Sequence, residues 1–216
     1  MELRIICDNE AGMGLQASWG FSCLIDGDIL FDTGNEYGIL GRNMDLMGID
    51  PADVRTVVIS HDHWDHAGGL AVLEEMGEST VIVPRHASTR LIREISSHGN
   101  VQIVKVGENH RIKEGIRVLG NLGGDIDEIV VLVDGGMGAV IITGCAHPGL
   151  DRIIERASLE SRVKGVVGGF HGFDRLGALK DMDLIVPCHC TRYKERLLDI
   201  YPDVGKRCRA GITINV

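Results

Sequence analysis

The stretch Val57-Val58-Ile59-Ser60-His61-Asp62-His63-Trp64-Asp65-His66 decides how this chain is read. An apolar, β-branched run predicts a buried strand, and it gives way within one residue to three histidines and two aspartates. In an extended segment leaving a strand, residues two apart point the same way, so His61 and His63 can grip one ion together. Asp65 and His66 follow past a turn, where the bent chain can face a second ion. Imidazole and carboxylate donors suit zinc, manganese or iron(II). Two ions held close together would clamp and activate a water molecule. The bland alternative is a solvated loop with surface histidines, and so dense a set of donors directly after a buried strand argues against it.

Outward from this stretch, strands alternate first with turns and later with helices. Leu3–Cys7 reads as a first strand, and residues 21–25 and 28–31 form a hairpin around Asp26-Gly27, a type I′ turn pair. Ile39, Leu40, Met44 and Met47 recur at helical spacing and predict a helix over 37–47. Asp50-Pro51 signals an N-cap with proline at the first helical position, ahead of the strand at 55–60. Helices are expected over 67–76, 87–97, 150–159 and 193–200. Further strands are expected over 80–84, 101–106, 117–119, 127–134, 139–143, 163–167, 184–186 and 212–216, with a turn at 135–138. Periodicity alone gives a mixture of α and β. Two halves of strands plus helices in 216 residues suit one domain built as two sheets covered by helices.

A net charge of −9 argues against a general binder of nucleic acid or anionic membranes. Cations at the site would reverse that sign locally, so an anionic small-molecule substrate stays open. The chain opens on a strand rather than a charged-then-apolar leader, and no apolar run approaches a membrane span. Its six cysteines follow no framework spacing, which fits reduced core thiols in a cytoplasmic protein.

His61-x-His63-x-Asp65-His66 resembles the second signature of the metallo-beta-lactamase superfamily. Phe31-Asp32-Thr33-Gly34 resembles its first signature, Thr143–Gly149 stands where the family supplies a further histidine, and Val186–Thr191 resembles the closing signature. The elements Gly144-Cys145-x-His147-Pro148-Gly149, Gly169-Phe170-His171 and Cys188-His189-Cys190-Thr191 together resemble a narrower subgroup. It includes dihydropterin ribofuranosyl-aminobenzene phosphate synthases and many metal-dependent hydrolases. The resemblance implies an α+β fold, a four-layer αββα sandwich, spanning residues 1–216 with the metals at one edge between the sheets. It implies one ion on His61, His63 and His147 and a second on Asp65, His66 and His189, with Asp32 orienting the ligands through hydrogen bonds.

This chain departs from the superfamily pattern in two places. Most members carry a Pro-Gly-His-Thr loop after the strand at 117–119, where Gly120-Asn121-Leu122-Gly123-Gly124 has no histidine. Most also carry a metal-bridging Asp where this chain has Cys145. His147 is the natural replacement for the missing histidine. Cys145 reads as a small residue facing the core, with thiolate ligation of a soft metal as the alternative. Cys188 and Cys190 flank His189, yet on a strand end they should point away from it, so both read as core cysteines. His171 reads as a general acid or substrate contact, against the plainer alternative of a structural histidine. His86, His98 and His110 read as structural or solvent-facing, and Trp64 as packing over the site.

The expected activity is metal-assisted hydrolysis of an ester or phosphoester, with two divalent cofactor ions (zinc first, then manganese or iron) and with Asp65 and His171 as catalytic residues. Two rivals stand beside it. One is a pterin-type synthase, in which the ions steady a pyrophosphate leaving group and no water is consumed. The other is a non-catalytic metal-binding or ligand-sensing protein that keeps the site without turnover.

Overall fold

The computed structural model describes residues 1–216 apart from Gly99 and Met137; the turn expected at 135–138 therefore lies partly outside the described residues. In chain order the strands are β1 (Glu2–Cys7), β2 (Ser22–Ile25), β3 (Ile29–Phe31), β4 (Thr56–Val58), β5 (Ser79–Pro84), β6 (Val101–Val106) and β7 (Asn109–Lys113). They continue as β8 (Ile116–Leu119), β9 (Val130–Asp134), β10 (Ala139–Thr143), β11 (Val163–Gly169), β12 (Leu184–Cys188) and β13 (Thr213–Asn215). The helices are α1 (Tyr37–Leu46), α2 (Trp64–Ala67), α3 (Thr89–Ser96), α4 (Leu150–Ser158) and α5 (Lys194–Ile200).

A seven-stranded sheet runs β13-β1-β2-β3-β4-β5-β6, and a six-stranded sheet runs β12-β11-β10-β9-β8-β7. Period-two alternation explains how they stack. Ile29 and Phe31 of β3, Ile82 of β5, Val131 and Val133 of β9 and Val140 and Ile142 of β10 meet in one apolar layer between the sheets. Their neighbours Leu30, Val81 and Val83 turn to the opposite face, where Leu40 and Met44 of α1 and Leu91 and Ile95 of α3 cover them. Val130, Leu132 and Ile141 likewise pack against Leu150 and Ile153 of α4 and Leu197 of α5. Three apolar layers separate four layers of structure, the expected αββα sandwich. Strands buried on both faces explain why runs such as Val130-Val131-Leu132-Val133 show no polar alternation.

Direction positions the site. β3, β4, β5 and β6 run parallel to one another, and so do β10, β11 and β12. β1 runs the same way as β3, because each is antiparallel to β2. Asp8, Asp32, the 60–66 stretch, Cys145, His147, His171 and His189 all follow the carboxyl ends of these strands. Crevices outside strand carboxyl ends are where open α/β sheets place their ligands.

Two expectations are corrected. The helix read over 67–76 is instead the single turn α2, begun inside the histidine motif, followed by a 3-10 turn at Leu70–Glu74. Gly68 and Gly69 interrupt it because the 33–35 loop presses against them: a Cβ on Gly68 would sit 1.9 Å from the Asn35 carbonyl oxygen. The β7–β8 hairpin around Glu114-Gly115 also brings in a strand that was not expected, since Asn109-His110-Arg111-Ile112-Lys113 is too polar to read as one. Among the described residues no helix is long and apolar enough to cross a membrane.

Candidate metal centre

His61 is buried at the end of β4, and its Nε2 lies 3.0 Å from Nδ1 of the exposed His63. His147 approaches both, with ring centroids 4.9 Å from His61 and 5.0 Å from His63. One turn of α2 carries Asp65 and His66 to the other side of His61, where His189 Nε2 comes within 3.2 Å of Asp65 Oδ2. Five groups of potential ligands form among the described residues, the atoms of each within 4.8 Å of one another; two are the expected His61-His63-His147 and Asp65-His66-His189, while Cys145 joins His61 and His66 in a third and His189 and Cys190 in a fourth. Nε2 of His147 is buried with no hydrogen-bond partner, and Nε2 of His189 is buried against Asp65 Oδ2 without good hydrogen-bond geometry. Orphaned buried polar atoms are costly, and a cation shared with the neighbouring donors would satisfy both. The donor set therefore fits divalent transition metals.

Hydrogen bonds from behind hold these side chains in place. Fully buried Asp32 accepts from Ser60 N at 2.7 Å, from Ser60 Oγ at 2.8 Å and from His66 Nδ1 at 2.7 Å. That last bond leaves the other ring nitrogen of His66 turned towards the site. Asp8, at the end of β1, accepts from His189 N at 2.7 Å, and Asn9 Nδ2 donates to His189 O at 2.9 Å. Glu128 accepts from the amides of Cys145, Ala146 and His147 at 2.8–3.0 Å and from the Thr143 hydroxyl. Asp32, Ala146, His171 and His189 all have φ between 44° and 56°. Left-handed backbone at non-glycine residues costs energy and concentrates at functional sites; here it swings side chains off the strand direction into the crevice.

Burial lowers the His61 pKa, and repulsion from the surrounding imidazoles adds to it. His147 is pulled down to about 4 by burial and then by His171 and His63. Burial also lowers His189, against the pull of Asp65. All three are neutral, ligand-competent imidazoles at ordinary pH. His66 goes the other way: burial would lower it, but the Asp32 carboxylate outweighs burial and raises it. Burial would raise Asp65, yet His189 and His66 hold it below the usual carboxylate range, so it is anionic. Glu128 is pushed up by burial, against three backbone N–H groups that favour its charged form.

The cysteines differ from expectation. Cys188 lies in the layer between the sheets, but Cys190 faces the crevice, with its Sγ 3.2 Å from Cys145 Sγ. Strand alternation ends at Cys188 because His189 is left-handed, and the next side chain is thereby re-aimed. Cys145 does not face the core either; its Sγ lies 3.2 Å from His66 Nε2. Trp64 is 57% exposed. Trp19 is the indole at the site, donating to Asp65 Oδ2 at 2.9 Å and stacking edge-on with His189. His171 is exposed, its ring 4.9 Å from that of His147, on a cavity of about 390 Å³ shared with Phe170, Phe173 and Arg175. His86 is exposed and pairs with Asp127, and His98 lies 3.4 Å from Glu74.

Glu128, Asp8, Trp19 and Cys190 were not anticipated from sequence. The only local signal for Glu128 was an acid directly ahead of the apolar run 129–133.

Comparison with known proteins points the same way. An uncharacterized protein of Methanocaldococcus jannaschii is 28% identical, over 89% of this chain and 91% of its own length. From the same organism, 7,8-dihydropterin-6-methyl-4-(beta-D-ribofuranosyl)-aminobenzene-5'-phosphate synthase is 26% identical, over 85% of this chain and 82% of its own. The crystal structure of a metal-dependent hydrolase of the beta-lactamase superfamily matches with a TM-score of 0.82 at 28% identity, covering 100% of this chain and 99% of that one. The model of the metallo-beta-lactamase superfamily matches residues 21–162, and on that match and this fold the chain belongs to the metallo-beta-lactamase superfamily.

Proposed function

We propose that this protein is a metal-dependent hydrolase holding two divalent ions, zinc foremost, in the two donor groups and acting on an ester or phosphoester of a small, anionic molecule. The observation that carries the reading is the pair of buried nitrogens, His147 Nε2 and His189 Nε2, one in each group, the first with no hydrogen-bond partner and the second set against the Asp65 carboxylate. When bound, the ions supply Lewis acidity, which brings the pKa of water towards neutrality and polarises the bond under attack. His61, His63 and His147 hold one ion as neutral imidazoles. Asp65, His66 and His189 hold the other, and the negative charge of Asp65 offsets part of the cationic charge. Asp32 fixes the His66 ring through Nδ1. His171, exposed beside His147, is placed to donate a proton to the leaving group or to hold it. The cavity of about 390 Å³ beside His147 and His171 has the size of a small-molecule site. Six free thiols suit a cytoplasmic location.

A synthase is the second reading, favoured by the 26% identical relative that carries that name. Incubating metal-loaded protein with a pterin diphosphate and a ribosylated aminobenzene phosphate, beside a panel of phosphodiesters, thioesters and lactones, separates the two. Turnover of a panel ester with water consumed supports the hydrolase. A coupled product without hydrolysis supports the synthase. Silence with zinc, manganese and iron alike favours a sensor.

A further inference from the structure

Two of the six cysteines are set apart from the other four. Cys7, Cys23, Cys188 and Cys208 are buried at 0–1% exposure inside apolar layers. Cys145 and Cys190 lie outside those layers, at the crevice, and Cys190 is partly open to solvent. They belong to the ends of β10 and β12, strands that are not neighbours, because β11 runs between them. The last residue of β11 is Gly169. A Cβ there would sit 2.7 Å from Cys190 Sγ and 3.3 Å from Cys145 Cα. The absent side chain leaves a slot through which the two sulfurs meet at 3.2 Å. That is closer than two unbonded sulfurs pack by dispersion alone.

We infer that Cys145 and Cys190 are an oxidative modification site, closing to a reversible disulfide when the chain meets a hydroperoxide. The sulfurs need approach by only about 1.2 Å to reach the S–S bond length of about 2.05 Å. Cys190, the more accessible thiol, attacks the outer peroxide oxygen. The O–O bond breaks, the alcohol (or water) leaves with the thiol proton, and Cys190 becomes a sulfenic acid. Cys145 sulfur then attacks Cys190 sulfur. The S–O bond breaks, water leaves carrying the Cys145 proton, and the S–S bond forms. The two thiols give up two electrons, and one peroxide bond takes them.

A consequence follows that rests on the metal-centre reading proposed above. Cys145 Sγ also lies 3.2 Å from His66 Nε2, and both sulfurs lie within 4.8 Å of a His189 ring nitrogen, so closing the bridge ties up two thiols that border the Asp65-His66-His189 group. Oxidation should therefore change how the chain takes up metal.

The test treats metal-free protein with hydrogen peroxide, unfolds it in denaturant, alkylates the remaining thiols and maps the peptides by mass. The expected result is a cross-link joining the Cys145 and Cys190 peptides, lost on adding dithiothreitol, with the other four cysteines alkylated. Cys190→Ser and Cys145→Ser should each show no cross-link, and if one fails to fold the other still decides. Both thiols remaining alkylatable, a bridge between other cysteines, or Cys190 passing to sulfinic acid with Cys145 still free would overturn the inference. Zinc titration of oxidised against reduced protein is a separate arm. Equal uptake by both would overturn the metal consequence. No uptake by the reduced chain would remove the metal reading while the cross-link result stands.

Discussion

Asp32→Asn isolates what one buried carboxylate does for the site. The change keeps the shape of the side chain, and asparagine tolerates the left-handed φ of 56° at this position, so the backbone has no reason to move. The Ser60 N bond at 2.7 Å to Oδ1 can survive. At Oδ2, however, an amide NH2 would replace the acceptor that takes hydrogen bonds from Ser60 Oγ and His66 Nδ1. That NH2 donates to His66 Nδ1 and drives the ring proton to Nε2, the nitrogen that faces the donor group. Loss of such a supporting partner typically costs about 10–100-fold in metal affinity, or about 1.4–2.7 kcal/mol. The loss should be larger for the ion held by Asp65, His66 and His189, and a smaller loss should reach the other through Ser60 Oγ, which lies 2.8 Å from His61 Nδ1. Zinc titration against a competing chelator resolves the two steps. An Asp32→Asn protein that binds both ions within twofold of wild type would refute the role given to Asp32.

Glu128→Ala leaves three buried backbone N–H groups and a hydroxyl without an acceptor; at about 1–3 kcal/mol for each orphaned group, urea denaturation should show a loss above ~3 kcal/mol, and a loss below ~1 kcal/mol contradicts the account of the 145–147 loop. His63→Ala removes an exposed side chain, so stability should stay within about 0.5 kcal/mol while turnover is abolished; a variant that does not fold marks a structural residue instead. His171→Ala should keep full metal content and lose roughly 100-fold in turnover, with one limb of the pH profile gone; release of one metal would make it a ligand, and unchanged turnover would end its catalytic role. In the metal-free protein, His61, His147 and His189 have folded pKa values below the unfolded 6.5. Their contribution is complete above pH 6.5 and is lost as pH falls towards about 4, the value for His147. His66, raised by Asp32 after burial is offset, acts in the opposite sense. Glu128, raised by burial, joins His66 in that sense; with three depressed imidazoles against these two, the melting temperature of metal-free protein should drop between pH 7 and pH 4.5, and a flat or rising calorimetric profile contradicts the burial argument.

How much of this was legible in sequence depended on whether the signal was local. The 57–66 stretch announced both strand and donors because it packs them into ten residues, and the burial of β3, β5, β9 and β10 on both faces follows from apolar runs any reader can see. Asp32 was legible only through its resemblance to a family signature. Its bond to His66 spans 34 residues, and no periodicity reports that. Cys190 was misread because strand alternation was carried one residue too far. The left-handed turn at His189 has no marker, since neither glycine nor asparagine stands there. Asp8 and Glu128 are single acids beside apolar runs, indistinguishable in sequence from exposed ones such as Asp183. The helix read over 67–76 failed because Gly68-Gly69 answers to a loop contact from residues 33–35, not to local propensity.

Metal stoichiometry of the purified chain and two variants tests the centre most directly. Wild type titrated with zinc and measured by elemental analysis should hold two ions per chain. His147→Ala and His189→Ala, each removing one buried donor nitrogen from a different group, should hold one apiece. A wild-type chain that takes up no metal, or two variants that both bind as much as wild type, would contradict the assignment of these six side chains to two ions.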